Sequence, residues 1–140
     1  MRLTRVSRPA FAAILITSAA ATGAAQIPGG QATQFTYNGF ANTAGLTMVG
    51  SAATASTSDG TVLRLTPASG SQSGAAYSAT AIPLGNNASF HTQFQFRLTD
   101  PGGMDPADGL VFVLATSANG LGESGYGMGY AGLAGNSVAI

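Results

Sequence analysis

The sequence predicts an all-β fold, a sandwich or barrel of mainly antiparallel strands, on three observations. Residues 89–98 follow a period of two, with three Phe, one Leu and Thr92 on one face and only polar residues on the other. Residues 110–114 form an unbroken apolar run, Leu-Val-Phe-Val-Leu. Elsewhere short apolar blocks recur between pieces rich in Gly, Pro, Asn, Asp and Ser. Beyond the first 25 residues no helical period competes, and no repeat of fixed period is present.

The strand at 89–98 is the clearest element. Phe90, Thr92, Phe94, Phe96 and Leu98 fall on one face, and Ser89, His91, Gln93, Gln95 and Arg97 on the other. Burying a phenylalanine is worth about 1.5–3 kcal/mol, so three on one face fix the register of a strand with a dry side. The strand at 109–115 reads as covered on both faces and therefore central in its sheet. Shorter strands are expected at 34–40, 46–50, 62–66, 75–80 and 137–140, with turns at 57–60, 67–74 and 85–87. The alanine and serine bias at 51–58 reads as composition. Residues 136–140 read as a strand that has only begun, so the expectation is a C-terminally truncated domain whose next segment lies outside this sequence.

The N-terminus has a different character. Arg2, Arg5 and Arg8 precede an apolar stretch at 11–21 that ends in Gly23, Ala24 and Ala25. This is the layout of a secretory signal peptide, and its apolar part is well short of the roughly 20 residues that span a bilayer. The expected organisation is a signal peptide at 1–25, cleaved near Ala25, with a retained membrane anchor or an N-terminal helix as the alternative, and one partial β-sandwich domain at 26–140. The expected location is secreted or on the cell surface, with no membrane span after cleavage.

Charge narrows the partners. There is no lysine, and the part after the leader keeps Arg64 and Arg97 against Asp59, Asp100, Asp105, Asp108 and Glu123, a formal charge of −3. Two cations cannot neutralise a run of phosphates, which argues against nucleic acid and against anionic membrane surfaces. The absence of cysteine removes disulfides, thiolate metal sites and cysteine nucleophiles together. Low charge and abundant small residues raise disorder as a reading, but the recurring aromatic and branched blocks argue for a core.

The stretch 100–109, Asp-Pro-Gly-Gly-Met-Asp-Pro-Ala-Asp-Gly, is a turn-rich loop that delivers Asp108 to the start of the most apolar strand. An acid there is costly without partners. From local pattern alone, Asp105 and Asp108 read as formers of Asx turns or acceptors of backbone N–H groups. Residues 107–114, Ala-Asp-Gly-Leu-Val-Phe-Val-Leu, followed by the glycine-rich 120–135 and by Asn-Ser-Val-Ala-Ile at 136–140, resemble the legume-type (L-type) lectin domain. The phenylalanine strand fits the same pattern, and the resemblance covers roughly residues 35–140, about the first half of such a domain. Its most specific part is the Ala-Asp-Gly tripeptide opening an apolar strand.

The resemblance implies a concanavalin-like jelly-roll β-sandwich that binds carbohydrate. It implies a cis bond between Ala107 and Asp108, with Asp108 accepting hydrogen bonds from sugar hydroxyls and a loop glycine, Gly125 or Gly127, presenting its backbone N–H. Sugars combine dense hydroxyls with an apolar ring face, so such a site also needs an aromatic platform. Tyr126 and Tyr130 are the candidates, with packing over the sheet end as the alternative for each. The family's calcium and transition metal are implied only if the chain continues past Ile140. No metal site is expected within this sequence, because calcium takes roughly six to eight oxygen ligands and the five acids are scattered. The one histidine, His91, lies on the polar face of its strand and reads as a surface residue.

Catalysis is not expected. The best carboxylate pairs, Asp105 with Asp108 or Asp108 with Glu123, lack the alternating Glu-x-Asp-x-Glu triplet of jelly-roll glycosidases. No serine lies in a Gly-x-Ser-x-Gly setting. The alternatives to sugar binding are a structural or adhesive cell-surface sandwich and, less favoured, a glycoside hydrolase fragment. The oligomeric state is not legible.

Overall fold

The structure is a computed structural model. It describes the backbone of residues 15–16 and residues 35–84, 89–99, 107–118 and 120–140. The turn expected at 85–87, the loop bearing Asp100 and Asp105, and the leader apart from Leu15 and Ile16 lie outside these residues.

Among the described residues every strand pair is antiparallel. The strands are β1 (Leu15–Ile16), β2 (Leu46–Gly50), β3 (Ala53–Thr57), β4 (Gly60–Arg64), β5 (Gly74–Ser78), β6 (Phe94–Gln95), β7 (Val113–Ala115) and β8 (Ser137–Ala139). They pair as β1 with β6, β2 with β5, β3 with β4, and β7 with β8. A short 3-10 turn at Gly125–Gly127 is the other regular element. No helix in the described residues is long and apolar enough to cross a membrane.

The β3–β4 hairpin closes through Ser58 and Asp59, with Thr57 opposite Gly60. Thr57 Oγ1 accepts from the Asp59 N–H at 3.2 Å and donates to the Gly60 carbonyl at 3.0 Å. This local bonding is why the turn expected at 57–60 forms. Strand β2 then pairs with β5 across that hairpin, from Leu46 opposite Ser78 to Gly50 opposite Gly74. Strands β7 and β8 set Leu114 opposite Val138, and Phe112 and Ile140 extend the ladder by exchanging N–H bonds of 3.0 and 2.9 Å.

The main core lies over β4, where Leu63 and Leu65 are buried together with Phe40. Tyr37, Leu46, Ala52, Ala76 and Leu110 pack against this cluster. Tyr37 stacks on Phe40 with ring centroids 5.7 Å apart.

Several strand expectations are corrected. Residues 35–40 form no strand; Phe40 is buried, and its N–H donates to the Thr61 carbonyl beside the core. Ala53–Thr57 is a strand, with Ala53, Ala55 and Thr57 half-buried and Thr54 and Ser56 exposed, so the small-residue bias there is a period-two pattern. The phenylalanine strand has no dry face: Phe90, Phe96 and Leu98 are each about half exposed, at 51, 56 and 53%. Only Phe94 is half-buried, because Phe112 stacks on it at 6.0 Å and on Phe90 at 6.4 Å. No second layer covers Phe96 or Leu98 among the described residues, and the strand shortens to Phe94–Gln95. For the same reason residues 110–114 are half-buried rather than enclosed, and β7 has one hydrogen-bonded neighbour among the described residues, β8.

Candidate functional site

Two loops meet at one end of these sheets. The first delivers Ala107, Asp108 and Gly109, all exposed, to the start of the apolar run that becomes β7. The Ala107–Asp108 peptide bond is cis, as the resemblance implies. Among the described residues none donates a hydrogen bond to the Asp108 carboxylate. The Asx-turn reading of Asp108 thus has no supporting bond among the described residues, and Asp108 is exposed.

The second loop, at 120–133, is laced by its own backbone. Gly122 N–H donates to Gly129 O at 2.8 Å, Glu123 N–H to Ala131 O at 2.7 Å, and Gly129 N–H to Glu123 O at 2.8 Å. Its start is fixed by the Tyr77 hydroxyl, which donates to the Gly120 carbonyl at 3.0 Å, and burial raises the Tyr77 pKa above the usual tyrosine value. Its end is anchored by buried Leu133 and by the Tyr130 hydroxyl donating to Ser137 O at 3.2 Å. Tyr130 is thus a half-buried strut.

The tip of this loop is the Gly125–Gly127 turn. Gly125 has a φ of +64°, in the left-handed region where a side chain is strained. A β-carbon placed there would stand 3.9 Å from Asp108 Oδ2, so the carboxylate lies on the side of this glycine where a side chain would project. At Gly127 a β-carbon would fall 2.7 Å from Glu123 Cβ and 3.3 Å from Ala131 Cβ, so only glycine fits. Tyr126, between them, is fully exposed at 102%.

The structure therefore gathers Ala107, Asp108, Gly125, Tyr126 and Gly127 at one place, and Tyr130 takes its packing alternative. Sequence reasoning missed Met128. Its φ of +51° is left-handed, and its Sδ would lie 3.4 Å from a β-carbon on Gly109, which joins the two loops. No sequence signal marks a methionine among glycines for this role.

Beneath the site runs a cleft of about 190 Å³ whose lining includes Leu46, Leu63, Phe94, Asp108, Leu110 and Met128. A larger depression of about 380 Å³ lies over residues 35–44, away from these loops, and its Tyr37 hydroxyl is engaged by the Ala44 carbonyl. No three His, Asp or Glu side chains converge among the described residues. His91 is exposed on the β6 segment.

No curated protein and no solved structure matches the chain. The legume lectin domain matches residues 32–139, a span that holds both site loops and β2 to β8. That family has the concanavalin-like all-β sandwich fold, in keeping with the antiparallel strands described above. The chain belongs to the legume lectin domain family.

Proposed function

We propose that this chain is an exported lectin that binds a glycan through Asp108 and the Gly125–Gly127 turn. The family is one of carbohydrate-binding domains without enzymatic activity, and we read this member in the same way. The observation that carries the reading is the Asp108 carboxylate standing 3.9 Å from the place a Gly125 β-carbon would take, beside a fully exposed tyrosine. These groups supply the three things a sugar needs: a fixed acceptor, backbone donors, and a flat apolar surface for the ring face.

Asp108 accepts hydrogen bonds from sugar hydroxyls. Of the two glycine candidates, Gly125 suits the donor role better. The Gly127 N–H is drawn to the Ser124 carbonyl at 3.3 Å, and Glu123 crowds that residue. Tyr126 offers its ring as the platform. Retention of the protein on immobilised monosaccharides tests the reading, with Asp108→Asn as the control. A structural or adhesive module would show no retention that depends on Asp108, and a hydrolase would turn a glycan over.

A further inference from the structure

We propose that Glu123 is a specificity-determining residue, which makes this site select neutral and amino sugars over uronic, sialic and sulfated ones. The inference rests on the carbohydrate reading of the site and deepens it.

The turn that carries Tyr126 is flanked by two carboxylates. Asp108 Oδ2 lies beside it at Gly125, and the Glu123 stem meets it at Gly127, two residues further on. Glu123 is exposed, yet its backbone is held on both sides, by the N–H bond to Ala131 and the carbonyl bond from Gly129. Its Cβ and Cγ are thus held beside the turn that carries the aromatic platform. A sugar resting on Tyr126 and bonded to Asp108, as proposed, would lie beside both acidic residues.

No cation offsets them among the described residues. Arg64 alternates with Leu63 and Leu65, which line the cleft under the site, so it lies on the opposite face of β4. Arg97 is paired with Asp59 of the β3–β4 hairpin. A carboxylate or sulfate on the sugar would therefore enter an uncompensated negative field, and a protonated amine would enter a favourable one. Exposed charges about 8 Å apart in water interact weakly, which corresponds to about a twofold change in affinity per charge pair.

The test is competition for a sugar column by matched series: glucose, glucuronate and glucosamine, and galactose, galacturonate and galactosamine. The full chain is compared with Glu123→Gln and Glu123→Lys, and circular dichroism confirms that each variant is folded. The readout is, within each protein, the concentration of acidic competitor needed for elution divided by that of its neutral parent. The uronate is expected to compete about fourfold less well than its neutral parent, and the ratio is expected to halve in the Gln variant and to approach one in the Lys variant. It should also shrink in 1 M salt, where screening acts within about 3 Å. Sugar retention with equal competition by acidic and neutral members, or with a ratio that Glu123 does not move, overturns this inference and leaves the carbohydrate reading standing. Failure of the chain to retain any sugar overturns both.

Discussion

The Tyr77 hydroxyl donates a 3.0 Å hydrogen bond to the Gly120 carbonyl, tying the middle of β5 to the first residue of the loop that carries Tyr126. The two residues are 43 positions apart, so this bond sets where the second site loop leaves the sheets. Tyr77→Phe removes it and leaves the carbonyl unpaired, at a cost of about 0.5–1.5 kcal/mol in a denaturant titration. Because burial raises the Tyr77 pKa, the folded state holds its phenolic proton more tightly than the unfolded chain does. Stability from this group is full below about pH 10, the unfolded value, and is lost as pH rises through the folded value. The loss of stability above pH 10 should be smaller in Tyr77→Phe than in the parent protein.

Gly127→Ala places a methyl group 2.7 Å from Glu123 Cβ and should push the turn out of position. The expected cost is about 1–3 kcal/mol, typical of overpacking, together with loss of sugar retention. Unchanged retention would mean that the turn is not part of the site.

Tyr126 buries nothing, being fully exposed, so Tyr126→Ala should leave the thermal midpoint within error. Retention should nevertheless fall, because the ring is removed from the sugar face. Leu63→Ala is the converse case. Leu63 is 2% exposed in the core, and its truncation should cost about 2–5 kcal/mol.

A signal peptide ending near Ala25 predicts that mass spectrometry of protein recovered outside the cell finds an N-terminus close to Gln26. Recovery of the chain with Met1 and its arginines intact from the medium would contradict the leader reading. Cleavage there would also remove β1, the strand that pairs Leu15 with Gln95 and Ile16 with Phe94.

Where local chemistry decides an element, it could be read from the residues. The Thr57-to-Gly60 turn is specified by its own hydroxyl and glycine, and β2, β4, β5 and β8 follow from short apolar blocks between turns. Ala53–Thr57 escaped because alanine, serine and threonine differ little in hydropathy, so their alternation is faint even where the burial alternates. The phenylalanine strand escaped for the opposite reason. Its pattern is strong, but a pattern states which face prefers burial and not whether another layer covers it, and Phe96 stays 56% exposed. Asp108 and the glycines are singled out in the sequence by the Ala-Asp-Gly resemblance. Their proximity, the strut role of Tyr130 and the Met128 link depend on how two loops 15 to 20 residues apart fold onto each other.

The most direct test of the account is retention on a panel of immobilised neutral monosaccharides, comparing the full chain with Asp108→Asn. The account predicts that the parent is retained by at least one sugar and eluted by the same sugar free in solution, and that the folded Asn variant flows through. Equal retention of the two folded proteins, or no retention of the parent by any sugar, would contradict it.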